Sequence, residues 1–310
     1  MITDADTIAR GAILHVDVCV VGAGAAGIAL ALSLSGRGLR IVVLEAGRRS
    51  RDAKAQTHYE GEVADERLHS PVHRYRLRGL GGSTASWGGR CVPYDAIDFE
   101  KRCWVPGSGW PISYEGLLPW YAKANAWAEA GRFDYSARTA LAGAVPMLQG
   151  FDSDIVCTDS LERFSCPTDF GKRYRRRLQV ADDIRVLTGA HCTHLRLDDQ
   201  GRTLRTLDVA TLAGNHFQVV SRATVLATGG LETARLLLHS SDVVPQGVGN
   251  RHDVVGRYYQ CHLAGNVGTL TVFGRPDRVQ HGYEVAADGV YCRRRMAIDP
   301  ELQRRHGLLN

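Results

Sequence analysis

The feature that most constrains the fold is a glycine-rich turn between an apolar, β-branched run and an Ala/Leu-rich run. Residues 16–21 predict a buried strand, and residues 28–35 predict a helix. The turn between them, residues 22–27, reads Gly-Ala-Gly-Ala-Ala-Gly, and residues 41–44 predict a second buried strand. This order is that of a βαβ unit, so we expect the two strands to lie parallel in one sheet.

The spacing within this unit indicates a dinucleotide site. Gly22 permits the tight turn, Gly24 lets the backbone approach a pyrophosphate, and Gly27 lets the helix pack closely on the sheet. Glu45, at the end of the second strand, is placed to accept hydrogen bonds from a ribose diol. A tight βα turn without function is the alternative, but it does not explain the Glu45 carboxylate. That carboxylate would repel a 2′-phosphate, which disfavours NADP.

The later sequence favours FAD over NAD. Residues 192–197, 204–212 and 217–220 predict a three-stranded meander with turns at Asp199-Gln200-Gly201 and Ala213-Gly214-Asn215. A further buried strand is predicted at residues 223–227, before a helix from Leu231 to about Ser240. Because this strand ends in Ala-Thr-Gly behind a meander, it resembles the FAD domain of glutathione-reductase type. Further βα repeats, which an NAD-only Rossmann fold would show, are not predicted.

The middle of the chain gives weaker signals. Residues 48–78 predict a polar surface excursion, and residues 79–89 are too glycine-rich for a regular element. Ser113 is a plausible helix N-cap, and Pro119 predicts a break before Trp127.

Charge and cysteine usage exclude several classes of protein. The net charge is only +5, and the one dense basic run, residues 172–177, is predicted to be a solvated face and not a polyanion site, so no nucleic-acid partner is expected. The eight cysteines form no Cys-x-x-Cys pair, which predicts reduced core thiols, a cytoplasmic protein and no structural metal. Residues 18–36 carry no charge, but four glycines interrupt them, so we expect a strand, turn and helix and no membrane span.

Four segments together resemble the glucose-methanol-choline (GMC) flavoprotein oxidoreductases. They are residues 17–47; residues 78–89, which include Gly-Leu-Gly-Gly-Ser and Trp-Gly-Gly and run on to Ser-Gly-Trp-Pro at 108–111; residues 225–238; and Asn250 with residues 253–258 and His262. The resemblance covers most of residues 14–265. It implies an α/β fold with an FAD-binding Rossmann-like domain of glutathione-reductase type, a β-meander and a partial substrate or cap domain.

The implied domain organisation has four segments. Residues 14–110 and 184–265 would form the two parts of the FAD-binding domain, residues 111–183 a cap or substrate-facing segment, and residues 266–310 the start of an incomplete substrate domain.

The resemblance also implies non-covalent FAD. In this loop some relatives carry a histidine that attaches the flavin, whereas this chain has Ala85-Ser86. The residues expected to bind the cofactor, from the glycine turn and from the resemblance together, are Gly22, Gly24, Ala25, Gly27, Glu45, Ala46, Arg78, Gly81, Gly82, Ser83, Trp87, Gly88, Cys192, Ala227, Thr228 and Gly229.

The family's catalytic histidine lies in a C-terminal region that the residues after Tyr258 do not reproduce. We therefore expect that histidine beyond residue 310, in a chain that stops early relative to the family. His262 and His281 are interpreted as packing or surface residues.

The resulting hypothesis is an FAD-dependent oxidoreductase that acts on the CH–OH group of a small-molecule sugar, polyol or aminocyclitol alcohol. The electron acceptor is left open among O2, a quinone or a protein. An inert FAD-binding fragment is the main alternative. A disulfide or flavin reductase would need a second GxGxxG and a redox cysteine pair, and the sequence has neither.

Overall fold

The computed structural model describes residues 1–49, 52–262, 265, 266 and 268–309. These residues form two compact units. The first unit comprises Met1–Ser86 and Asp169–Tyr259, and the second comprises Trp87–Thr168 and Gln260–Asn310. The four predicted domain segments, with their boundaries at 110, 183 and 265, stay a prediction.

The strands, numbered along the chain, are β1 (Ile2–Asp4), β2 (Ile13–Val21), β3 (Ile41–Glu45), β4 (Arg90–Cys91), β5 (Val156–Cys157), β6 (Leu161–Phe164), β7 (Ile184–Thr188), β8 (His191–Leu197), β9 (Leu204–Ala210), β10 (His216–Leu226), β11 (Tyr283–Val285), β12 (Tyr291–Arg294) and β13 (Ala297–Ile298). The α-helices are α1 (Ala25–Leu34), α2 (Ala53–Thr57), α3 (Tyr114–Ala128), α4 (Ala137–Ala140), α5 (Phe170–Arg173), α6 (Arg175–Val180), α7 (Gly230–His239) and α8 (Pro300–His306). Short 3-10 turns lie at Ala5–Thr7, Gly82–Ala85, Ala96–Phe99 and Pro276–Arg278.

The first unit is built on a seven-stranded sheet with the order β1-β7-β3-β2-β10-β9-β8. The five strands from β1 to β10 are parallel, and β9 and β8 continue the sheet antiparallel. The predicted βαβ unit is therefore confirmed, and so is the meander of β8, β9 and β10. Every residue of β3 is buried, as expected for a central strand of a parallel sheet.

The third meander strand and the predicted strand at 223–227 are one continuous element, β10. The polar pair Ser221 and Arg222 interrupts the apolar run, but pairing with β2 continues on both sides of it. The expectation of a buried strand here is wrong, because Ala223 and Val225 are exposed. In this stretch β10 is held as a strand by backbone pairing with β2 and not by burial of its side chains.

The second unit contains a four-stranded sheet, β11-β12-β6-β4, and a pair of short strands, β13 and β5. A small apolar core packs beside β6 and β12 and includes Leu161 and Cys292. The Arg163 guanidinium is buried there and pairs with the Asp288 carboxylate at 2.5 Å. A buried charge is tolerated only with such a partner.

Helix α3 differs from its prediction. It runs without a break from Tyr114 to Ala128, with Ser113 as N-cap, and Pro119 lies inside it. Proline removes one backbone hydrogen-bond donor from a helix interior, and the remaining donors of this four-turn helix keep it continuous. The glycine-rich stretch likewise contains a 3-10 turn at Gly82–Ala85, where no regular element was expected.

The prediction that the cysteines are core residues is wrong for half of them. All eight are free thiols, and Cys19 and Cys292 are buried. Cys91 and Cys192 are half-buried, whereas the exposed thiols are those of Cys103, Cys157, Cys166 and Cys261. The exposed ones lie in or beside loops and short strands of the second unit, where the apolar core is small.

Within the described part of the chain, no helix combines the length and the apolar character that a membrane crossing requires. In the same residues no group of three or more His, Cys, Asp or Glu side chains could hold a metal ion.

Candidate functional site

A cavity of about 610 Å³ lies in the first unit, where β2, β3 and β10 end. Its position fits the rule that ligands of parallel α/β sheets bind beyond the carboxyl ends of the strands. Twelve of the sixteen predicted cofactor residues line it: Gly22, Gly24, Ala25, Glu45, Ala46, Arg78, Gly82, Ser83, Cys192, Ala227, Thr228 and Gly229.

The three turn glycines have three different roles. Gly22 has a φ of +102°, and a Cβ there would lie 2.5 Å from the Ala227 carbonyl oxygen. A Cβ on Gly27 would lie 1.9 Å from the Gly22 carbonyl oxygen, so Gly27 packs behind the turn and does not line the cavity. A Cβ on Gly24 would meet no atom within 4 Å. Glycine at 24 is therefore not needed for packing, and the space beside it is open to a ligand.

The N-terminus of α1 offers an anion site. Gly24 is its N-cap and supplies no side-chain acceptor, and the first turn contains no acidic residue. The first backbone N–H groups of a helix lack intrahelical partners and carry a partial positive charge. Because Gly24, Ala25 and Ala26 line the cavity, these groups are placed to hold a pyrophosphate.

Glu45 does more than the sequence predicts. Its carboxylate accepts hydrogen bonds from the backbone N–H groups of Ala23 and Gly47, both at 2.8 Å, and of Gly79 at 3.1 Å. The side chain is buried, and burial raises the pKa of its carboxyl although these N–H donors oppose the shift. Glu45 thus joins three loops at the cavity wall. Its predicted hydrogen bonds to a ribose diol stay a prediction.

An ion-pair cluster that the sequence analysis missed orients Arg78. Glu232 on α7 accepts from Arg78 at 2.8 Å and from Arg76 at 3.1 Å. Both guanidinium groups lie over the Tyr59 ring, at 4.2 Å for Arg76 and 4.4 Å for Arg78. Residues 48–78 are therefore more than a surface excursion, because they supply Tyr59 and Arg78 to the cavity wall. In the sequence, the one available signal of this cluster was Glu232, an acidic residue of α7 without an evident partner.

A second missed residue is His191, which begins β8 and lines the cavity. Its Nδ1 lies 3.4 Å from the Arg78 guanidinium, which can only donate, so the neutral ring carries its proton on Nε2. The His58 ring packs edge-on at 5.2 Å. Burial, with the neighbouring Arg78 and His58, lowers the pKa of His191 to about 4.

This shift predicts a pH-dependent loss of stability. The His191 pKa is about 6.5 when unfolded and about 4 when folded, so the unfolded chain binds the extra proton between those values. We expect the contribution of neutral His191 to be lost as pH falls from 6.5 to 4, by about 1–2 kcal/mol after allowance for solvent screening. Urea unfolding of the parent, His191→Gln and the exposed control His216→Gln at pH 7 and pH 4.5 measures it. An identical pH dependence in all three proteins would contradict the assignment.

The remaining predicted residues have other surroundings. Gly81 packs behind the loop: its N–H donates to the Ala23 carbonyl at 2.8 Å, and a Cβ would lie 2.6 Å from the Gly171 nitrogen. Trp87 and Gly88 belong to the second unit, where the Trp87 indole donates to the Thr168 carbonyl at 3.1 Å. Contact of Gly81, Trp87 and Gly88 with a flavin stays a prediction. Burial raises the pKa of the Cys192 thiol to about 12, so it lines the cavity as a neutral group.

These observations fit an FAD. The open space beside Gly24, the unpartnered helix N-terminus and the Glu45 carboxylate match a pyrophosphate and a ribose. The cavity volume lies within the range of about 300–1,000 Å³ typical of small-molecule and cofactor sites.

Comparison with known proteins agrees with this assignment. The protein-family model described as FAD dependent oxidoreductase matches residues 17–295. A curated relative, 6'''-hydroxyparomomycin C oxidase of Streptomyces lividus, is 27% identical over 302 residues, which cover 78% of this chain and 53% of that protein. The chain thus spans about half the length of this curated relative.

Two solved structures show weaker similarity. Formate oxidase of Aspergillus oryzae RIB40 has a TM-score of 0.48 at 18% identity, with 76% of this chain and 48% of that chain covered. Pyridoxine 4-oxidase of Mesorbium loti has a TM-score of 0.45 at 23% identity, with 73% and 52% covered. The match over residues 17–295 is what decides the family. With its parallel-rich sheet and its cavity at the Gly22–Gly27 turn, the chain belongs to the FAD-dependent oxidoreductase family, and its cofactor is FAD.

Proposed function

We propose that the chain is a GMC-type oxidoreductase that oxidises the CH–OH group of a sugar, polyol or aminocyclitol alcohol. The observation that carries the proposal is the FAD-fitting cavity, built from segments whose order along the chain resembles that family. The similarity to an oxidase named for a hydroxyparomomycin supports an aminocyclitol-containing alcohol among the candidates.

The residues of this chain bind and orient the cofactor. The N–H groups at the start of α1 hold the pyrophosphate, and Glu45 accepts from the ribose hydroxyls. Arg78, held by Glu232, and the Gly82–Ser83 turn close the cavity wall. When bound, FAD supplies the acceptor for a hydride from the carbon that bears the hydroxyl.

Proton removal from the hydroxyl requires a general base whose pKa lies near the working pH. His191 is poorly suited, because its pKa of about 4 makes it a weak base. His262 and His281 are exposed, and their interpretation as packing or surface residues stays a prediction. The base stays a prediction, and the resemblance implies a histidine of the family's C-terminal region.

Reduction of the FAD-loaded protein by alcohols tests this function. We expect the 310-residue chain to bind FAD and to be reduced slowly, in a substrate-dependent way, by one or more members of a panel of sugars, polyols and aminocyclitols. Added imidazole should accelerate the reduction, because it supplies the base that typically contributes about 10²–10⁴-fold. Anaerobic stopped-flow absorbance of the flavin measures both.

One result would contradict the proposed function, and another would change only the assignment of the base. Bound FAD that no alcohol reduces, with or without imidazole, would favour the alternative of an inert FAD-binding fragment. Rapid reduction without imidazole would show that a residue of this chain already supplies the base.

The attachment of the cofactor gives a separate prediction. Because Ala85-Ser86 stands where some relatives carry the histidine that attaches the flavin, we expect acid precipitation to release all of the flavin into the supernatant. Absorbance at the flavin maximum of pellet and supernatant measures the distribution. A yellow pellet would contradict non-covalent binding, and the half-buried Cys91 would then be the first residue to replace.

A further inference from the structure

A second cavity in the first unit, of about 250 Å³, has a strongly cationic lining. Six of its lining side chains carry a formal charge: Arg48, Arg49, Arg78, Lys172 and Arg175 are cationic, and Asp169 is the one acid. Lys172 and Arg175 belong to the basic run that the sequence analysis assigned to a solvated face. In the structure both residues line a concave cavity, which differs from the solvated face that the sequence predicts.

Three of the five cations already have carboxylate partners. Arg48 pairs with Asp4, Asp6 and Asp52, and Arg78 pairs with Glu232. The Lys172 ammonium lies 3.5 Å from the Asp169 carboxylate, and its side chain is 80% exposed. The charges of these three are therefore balanced, at least in part, within the fold.

The other two cations have no carboxylate partner among the described residues. The Arg49 guanidinium donates to the neutral Ile2 carbonyl at 2.5 Å. The Nε of Arg175 is buried and has no hydrogen-bond partner in the described part of the chain. A buried guanidinium donor without an acceptor is costly, and an anion bound to the same guanidinium would offset part of that cost.

We propose that this cavity binds a small phosphate-type dianion, with Arg49 and Arg175 as its main cationic contacts and Lys172, which it shares with Asp169, as a weaker third. Guanidinium groups match the geometry of phosphate oxygens, and Lys172 adds a point charge at the rim. The volume lies below the range of about 300–1,000 Å³ typical of drug-sized ligands. Inorganic phosphate or a small phosphate monoester fits this size.

The site adjoins the FAD cavity without being part of it. Leu77, Arg78 and Gly82 line both cavities, whereas Arg49, Lys172 and Arg175 line only the second. Because the FAD cavity itself contains an anion site at the start of α1, an experiment has to separate the two. Saturation with FAD does so, since bound cofactor occupies the first site.

Calorimetric titration of FAD-saturated protein with inorganic phosphate, at an ionic strength held constant with sodium chloride, tests the proposal. We expect one phosphate to bind per chain and Arg175→Gln to weaken binding about ten-fold, the loss of one charge-assisted contact. Lys172→Gln, whose exposed side chain makes it safe for folding, should weaken it in the same direction. Arg176→Gln removes an equal charge from the same helix outside the cavity and should leave the affinity unchanged.

Further titrations identify the source of the phosphate. Three outcomes would overturn the proposed site. A small phosphate monoester that binds tighter than inorganic phosphate would identify the ligand as a metabolite ester, and equal affinity would identify the free ion. The proposal is overturned if FAD abolishes phosphate binding, or if Arg175→Gln and Arg176→Gln bind alike. Stronger binding of a single-stranded oligonucleotide would overturn it in favour of a polyanion surface.

Discussion

Gly27→Ala should unfold the βαβ turn, and Gly24→Ala should leave the fold intact while it weakens FAD binding. A methyl group on Gly27 would lie 1.9 Å from the Gly22 carbonyl oxygen, which the backbone of the turn holds in place. We expect a loss of about 3 kcal/mol or more in the free energy of unfolding, the upper end of overpacking costs. A methyl group on Gly24 meets no protein atom within 4 Å but projects into the space assigned to the pyrophosphate.

Thermal unfolding of both apoproteins, together with fluorescence titration of FAD, measures these effects. For Gly24→Ala we expect an unfolding midpoint close to that of the parent and an FAD affinity at least ten-fold weaker, or about 1.4 kcal/mol. Ser33→Ala, at an exposed position of the same helix outside the cavity, serves as a control and should leave both the unfolding midpoint and the FAD affinity unchanged. A Gly24→Ala protein that binds FAD normally would show that the backbone at this point does not approach the cofactor.

Glu45→Ala should weaken both the fold and FAD binding. It leaves the N–H groups of Ala23, Gly47 and Gly79 without their acceptor, and two of these groups are buried. At about 1–3 kcal/mol for each unsatisfied buried donor, we expect the free energy of unfolding of the apoprotein to fall by about 2–4 kcal/mol. FAD affinity should fall by a further ~1–3 kcal/mol through lost hydrogen bonds to the ribose.

Glu45→Gln separates the two contributions. Its amide oxygen can accept from Gly47 and Gly79, but its NH₂ group would then face the Ala23 N–H. We expect a stability between those of the parent and Glu45→Ala, measured by urea unfolding of the apoproteins. Unchanged stability in Glu45→Ala would contradict the loop-joining role, and tight NADP binding without affinity for FAD would contradict the cofactor assignment of the glycine turn.

Much of the first unit could be predicted because its signals are local. A strand, a glycine turn and a helix follow one another within residues 13–34. The residue types in each of these elements favour it for direct steric reasons. The sequence also predicted the positions of Gly22, Gly24 and Glu45 on the cavity wall. The interruption at Ser221 and Arg222 hid the continuity of β10, because apolar periodicity reports burial and does not report backbone pairing.

The contacts that were missed join residues far apart in the chain. Arg78 meets Glu232, and His191 meets both Arg78 and His58, across separations that no spacing rule covers. The second unit gave weak signals for another reason. Its strands are only two to four residues long, too short for an alternating pattern to stand out.

The strand order of the first unit sets when this fold can form during synthesis. β2 lies between β3 and β10, and Val21 pairs with Leu226, about 200 residues later in the chain. At a synthesis rate of about 5–20 residues per second, the N-terminal strands wait roughly 10–40 s for their partner. During that time the apolar edges of β2 and β3 are open to chaperones and to other nascent chains. The glycine turn packs against Ala227 and can do so only after that residue has been synthesised. The FAD site therefore forms late in synthesis and in a single step.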